Sequence, residues 1–329
     1  MSVAITMFYR VILILCTAAS LHCGDALNFR RHVGDGPCPE PSAIAPCLCL
    51  YDATLDTMDL LCEFIQSEEQ LATVFNSNFP VPHFRRFEMI ANTHVKVLNS
   101  GVFGTVSFEE IYITPGVLHE IQEGVFDASR DTLQFLDLGK NEIETFPILE
   151  STSMNHLLLA SCPIFDLPAN AFEGLPNLEI INMYGLRLSD IKTGTFSTLT
   201  KLREVILSNQ ILHLTHIPSG AFIGSEQLMT VNLFGNMISS VEVDAFPVVS
   251  GMDINLASNR MTVIDEHVWE QYIQAGATLH LDLNPLECGC DLAWLFKKPS
   301  YLNHVNGHCH EDGEQIQDLS PGWFEEYCP

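Results

Sequence analysis

Leu133-Gln-Phe-Leu136-Asp-Leu138-Gly-Lys-Asn141-Glu-Ile143-Glu-Thr-Phe146-Pro147 is the stretch on which the fold turns. Leu136 and Leu138 stand two apart, so their side chains point to one face of a strand. A turn must follow, and its buried backbone groups need partners. Asn141 supplies two donors and an acceptor for that task. The same pattern returns as Leu228-x-x-Val231-x-Leu233-x-x-Asn236-x-Ile238 and as Ile254-x-Leu256-x-x-Asn259-x-Met261. Weaker copies begin at Phe84, Phe108, Met154, Leu178 and Leu202, giving eight units with a ninth strand at Leu279, Leu281 and Asn284. One strand per turn at a constant phase predicts a solenoid whose core grows along one dimension.

The period of about 24 residues lies in the leucine-rich range. The expected fold is therefore α/β, a leucine-rich-repeat solenoid with a concave parallel β-sheet. The turn position holds Asn92, Asn141, Asn236, Asn259 and Asn284, with Gln210 a poorer version and Cys162 an accepted one, expected as a buried thiol. The unit from Leu133 reads as shortened, and the unit from Leu202 carries an insertion around residues 213–216. In the second half of the units, Phe103, Phe126, Phe172, Phe196, Phe222, Phe246 and Trp269 recur at one phase. They predict an internal aromatic spine, each ring contributing roughly 1.5–3 kcal/mol by burial.

Outside the repeats the cysteines organise the chain. Of eleven, Cys38, Cys47, Cys49 and Cys62 cluster in front and Cys288, Cys290, Cys309 and Cys328 behind. Two even clusters predict disulfide-bonded N- and C-terminal caps, and spacing alone allows three pairings in each. Arg10 precedes the apolar run 11–19, followed by small residues around Ala18, Ser20, Gly24 and Ala26, which reads as a secretory signal peptide over 1–26 cut between about residues 20 and 26. Cys16, with Cys23 near the cut, belongs to that segment. The expected division is then 27–82 for the front cap, 83–277 for the repeats and 278–329 for the rear cap. Ser67 and Gln70 have capping-box spacing, so a short helix is expected before the first repeat.

The charge is −26, from 41 acids against 15 bases, which argues against nucleic acid and anionic membranes as partners. No long apolar run follows the leader, so no membrane anchor is expected. Neither a G-x-S-x-G elbow nor a phosphate loop is present, and His119-Glu120-Ile-Gln-Glu123 lacks the second His of a zinc-protease helix. His308-Cys309-His310 resembles a zinc set, but Cys309 already belongs to a cap. No catalytic residue, metal or cofactor is expected.

Cys38-Pro39, Cys47-Leu48-Cys49 and Cys62 resemble the front cap of extracellular leucine-rich-repeat proteins. Asn284-Pro285-Leu286-Glu287-Cys288-Gly289-Cys290-Asp291-Leu292-Ala293-Trp294-Leu295 resembles their rear cap. That resemblance implies the pairs Cys38–Cys49, Cys47–Cys62, Cys288–Cys309 and Cys290–Cys328. Further segments, Ser67 to Asn76 with Phe79-Pro80, Phe84 to Ile90, and Gly101-Val-Phe103 with 106–113, are similar to the family of non-catalytic subunits of secreted shrimp luciferases. The resemblance spans essentially the whole mature chain. It implies a secreted accessory subunit whose protein partner is a small catalytic chain, with no catalytic residue of its own.

Binding is therefore expected on the outward strand positions, which include Glu88, Tyr112, Asp137, Leu158, Asn182, Ile206, Asn232 and Asn255. Phe135 and Ile180 point outward as well. Tyr112, Leu158, Tyr184, Ile206 and Phe234 are expected to form a partner-binding stripe, because apolar side chains in a row on a surface mark interfaces. Two alternatives use the same chain differently: a soluble innate-immune or matrix recognition protein, and an enzyme in its own right.

Overall fold

The computed structural model describes residues 36–212 and 214–328. The expected leader, with Cys16 and Cys23, lies outside the described residues. Twelve strands make one sheet, in spatial order Leu48–Asp52, Thr57–Leu61, His83–Glu88, Ser107–Tyr112, Phe135–Asp137, His156–Leu158, Ile180–Asn182, Glu204–Ile206, Thr230–Asn232, Asp253–Asn255, Thr278–His280 and Val305–Asn306. The first two pair antiparallel. Every later neighbour is parallel.

Most strands are three residues long, with a buried centre between two half-buried neighbours. The buried centres run in register as Phe87, Ile111, Leu136, Leu157, Ile181, Val205, Val231, Ile254 and Leu279. The step from Leu136 to Leu157 is the shortest and that from Val205 to Val231 the longest, so the deletion and the insertion fall where the sequence places them.

Asn141, Asn236, Asn259 and Asn284 bond the turns to one another, while Asn92 at the front bonds within its own turn. Asn259 Nδ2 donates to Leu256 O in its own turn and to Leu233 O one turn back, both at 2.9 Å, and its Oδ1 accepts from Ile238 N. Asn236 and Asn284 repeat the arrangement. Gln210 manages one link of each kind, to Met183 O and from Leu188 N. Cys162 takes the place with its thiol 3.2 Å from Leu138 O, buried and otherwise unpaired with any cysteine.

Behind the sheet the rings stack as the phase predicts. Phe172, Phe196, Phe222 and Phe246 follow one another at 5.1–5.5 Å, and Trp269 ends the row. The shortened unit has lost its own spine segment. Phe146 fills the space instead, edge-on to Phe172 at 5.2 Å.

Both ends are closed. The structure joins Cys38 to Cys49, Cys47 to Cys62, Cys288 to Cys309 and Cys290 to Cys328. The helix Glu68–Phe75 drives Phe75 against Phe103 and Phe87, covering the front of the spine. Ser67 Oγ accepts from Gln70 N, as the capping box requires. The return bond differs from expectation: Gln70 Oε1 accepts from Gln66 N, one residue before the cap. At the rear, the Trp294 indole N–H donates to Ile264 O and ties the cap to the last turn.

Candidate functional site: the outer face of the sheet

Two half-buried rows flank the buried row. One runs Arg86, Glu110, Phe135, His156, Ile180, Glu204 and Thr230. The other runs Glu88, Tyr112, Asp137, Leu158, Asn182, Ile206, Asn232 and Asn255. Pairing of short strands about 4.8 Å apart makes these rows continuous across the sheet.

The expected stripe divides in two. Tyr112, Leu158 and Ile206 share the second row, separated by Asp137 and Asn182. Tyr184 and Phe234 lie one step further, on the turns, 43% and 36% exposed, with buried Ser208 on the turn between them. Phe135, His156 and Ile180 fill the neighbouring row. Tyr112 stacks on Phe135 at 4.9 Å, and Phe135 lies tilted against His156 at 5.7 Å. His156 holds the position before the buried centre that Phe135 and Ile180 hold in their strands, so the repeat phase marks it as outward, and the strand register sets it between them.

The polar members of the second row are already engaged. Asn182 Oδ1 accepts from Tyr184 N, Asn232 Oδ1 from Phe234 N, Asn255 Oδ1 from Ala257 N and Asp137 Oδ1 from Gly139 N, all at 2.8–3.1 Å. These are Asx turns, which use the side-chain oxygen to close the strand. The same bonds set the backbone from which Tyr184 and Phe234 project. Burial pushes the Asp137 carboxyl above its ordinary pKa, against the pull of the Gly139 N–H.

At the front end of the face the stripe meets charge. The Arg86 guanidinium lies 4.8 Å from the Tyr112 ring centre and donates to Glu110 at 2.8 Å and Glu88 at 3.2 Å. Arg85 pairs with Asp59. Burial pushes the Tyr112 hydroxyl up to about 12, so it stays protonated and donates to Glu110. Rings stacked on one another present edges outward, a surface suited to apolar and aromatic side chains of a protein.

One constellation was missed in the sequence. His83 lies between Ser107 Oγ at 3.0 Å and Glu109 Oε1 at 3.2 Å, and His216 between Ser240 Oγ and Glu242 Oε1 at 2.8 and 3.2 Å. The order is that of a hydrolase triad, but in both cases the two partners of the His lie at the same offsets of 24 and 26 residues, joining adjacent turns. The signal was the repeat period itself. His119 sits beside Glu142 at 3.0 Å, at the edge of the two-residue strand Glu120–Ile121, so the zinc-protease-like stretch is extended rather than helical.

Short parallel strands closed by buried asparagines, between two disulfide-bonded caps, define a leucine-rich-repeat protein. A family model described as leucine rich repeat matches residues 152–212. The chain is 30% identical over 319 residues, covering 88% of both chains, to the Oplophorus-luciferin 2-monooxygenase non-catalytic subunit of Oplophorus gracilirostris, and it belongs to the family of that subunit. Mouse osteomodulin is 31% identical over 134 residues, covering 40% of this chain and 31% of that protein. Among solved structures, an octameric complex of latrophilin 3, Unc5D and FLRT2 contains a chain with TM-score 0.63 and 19% identity, covering 82% of this chain and 90% of its own. A TLR13–ssRNA13 complex gives TM-score 0.59 at 18% identity, covering 69% of this chain and 32% of that one. These two likenesses are of fold.

Proposed function

We propose that the protein is a secreted protein-binding scaffold, a non-catalytic accessory subunit that stabilises a secreted partner chain. The observation that carries this reading is the apolar band across the outer face of the sheet, from Tyr112 and Phe135 through His156, Leu158 and Ile180 to Ile206, with Tyr184 and Phe234 exposed beside it. Aromatic and aliphatic side chains aligned on a surface exclude water against a partner. Membership of a family whose named relative is a non-catalytic subunit supports the accessory role. Four disulfides support an oxidising, extracellular setting.

The test is to purify the native protein from its source under mild conditions, measure the mass of the complex and identify every chain. A stoichiometric small companion chain is expected. Tyr184→Glu with Phe234→Glu should then release that companion while leaving secretion unchanged, since neither side chain is buried. A chain that runs alone at every concentration removes the subunit reading and leaves a free recognition protein. A companion that stays bound to the double variant moves the site off this face.

A further inference from the structure

We propose a second docking surface, on the side of the solenoid away from the sheet, that takes a basic segment of a partner protein carrying at least one apolar side chain. It is built by the shortened repeat. Where its neighbours carry a full spine segment around Phe126 and Phe172, this turn passes directly from Phe146 to Leu149. The missing chain leaves a notch, with clefts on both sides of Ile148. One is walled by the preceding turn at Glu120 and Glu123, the other by the following turn at Ala171 and Glu173. Phe146 and Leu149 form the buried floor.

Ile148 stands between the clefts 62% exposed. A large aliphatic side chain in a recess, rather than on an open convexity, is placed to be covered. The rim says by what. Glu120, Glu123, Glu144 and Glu173 are exposed carboxylates around it. The one guanidinium at the notch, Arg130, is already held by Glu150 and Asp127. Glu142 has His119 beside it. The remaining four acids have no ion-pair partner among the described residues. A basic segment relieves their mutual repulsion, while its apolar residue covers Ile148. An acidic partner adds to that repulsion, and a neutral one leaves it in place. The whole-chain charge of −26 draws such a segment in, and at the notch Ile148 adds an apolar contact to the unpaired acids.

The probe is a short, blocked, fluorescent peptide alternating Lys and Leu, titrated with the full chain at ionic strength of about 0.15 M, where long-range charge is largely screened. Glu120→Gln, Glu123→Gln and Glu144→Gln together should weaken binding about tenfold or more. The charge-matched control Glu311→Gln, Glu325→Gln and Glu326→Gln, on the rear cap, should change it by about twofold or less. Ile148→Ser should weaken the Lys-Leu peptide and leave a Lys-Ser peptide unaffected. The Tyr184→Glu and Phe234→Glu variant should bind the peptide as the unmodified chain does, which separates this surface from the sheet face. All the substituted side chains are exposed, and melting curves check that the fold survives. Equal loss in the two Gln triples, no effect of Ile148→Ser, or no binding by the unmodified chain would each overturn the proposal.

Discussion

Cys162 shows how far one residue can be read. The repeat pattern admits Cys at the turn position, and burial raises its thiol pKa to about 11. The thiolate, which is the reactive form, is therefore nearly absent at neutral pH. The native chain should give no fast reaction with a thiol reagent at pH 8, and a full equivalent from Cys162 should appear once the chain is unfolded. Fast labelling of the native protein would mean that this turn opens. Asn236 gives the opposite case, a residue whose side chain cannot be spared. Asn236→Ala removes donors from Leu207 O and Leu233 O and the acceptor for Gln210 N, all buried. Unpaired buried groups cost about 1–3 kcal/mol each, partly relieved by water, so a loss of about 2–4 kcal/mol is expected in urea denaturation. Both residues were legible because the turn position recurs at fixed phase. The outward Asn182, Asn232 and Asn255 were not. The sequence marks them as outward and polar, and only the backbone path reveals that their oxygens close the strands.

At the scale of elements, the spine and the front helix make separable predictions. Phe196 lies between Phe172 and Phe222, stacked on both and 1% exposed. Phe196→Ala should cost about 3–5 kcal/mol, because close-packed turns on either side cannot collapse into the space. A melt unchanged from the parent would remove the spine as a source of stability. The front helix is docked by Glu68, whose carboxylate accepts from Lys96 N at 2.8 Å and Val97 N at 3.3 Å. The Lys96 N–H, then the helix's own N–H at Glu68, hold this carboxyl below its ordinary pKa. A depressed carboxyl contributes stability above the unfolded-state pKa and loses it as pH falls through the folded one. Amide protection factors in Glu68–Phe75 should therefore fall in acid more than those of the central strands, and Glu68→Gln should flatten that difference. The helix itself was legible from Ser67 and Gln70, and its role as a lid was not, since Phe75 meets Phe103 only after the chain has passed through the next strand, His83–Glu88. The notch escaped for a related reason. A deletion in the repeat is visible in sequence, but Glu120 and Glu173 become its walls only through stacking.

For the whole molecule, the decisive property is that each turn touches mainly its neighbours, so damage at one end should stay there. The three tryptophans make this measurable. Trp269 ends the spine, Trp294 is buried in the rear cap with its N–H on Ile264 O, and Trp323 lies on the helix Pro321–Tyr327 of that cap. Tryptophan emission therefore reports the rear end alone, while far-UV dichroism reports the whole sheet. Cys288→Ala with Cys309→Ala opens a loop spanning 21 residues of sequence separation, a loss of about 3 kcal/mol by loop entropy. If the turns are coupled only to their neighbours, the emission transition of this variant should move to lower urea and the dichroism transition should lag behind it. The front cap, with its own pairs Cys38–Cys49 and Cys47–Cys62, keeps the other end closed. Transitions that shift together would show instead that the Asn ladder and the ring stack make the solenoid one cooperative unit. In that case a partner bound to the sheet face would stabilise both caps equally. In the local case it would protect the turns beneath it, around Phe135 to Ile206, and leave the rear cap to melt on its own.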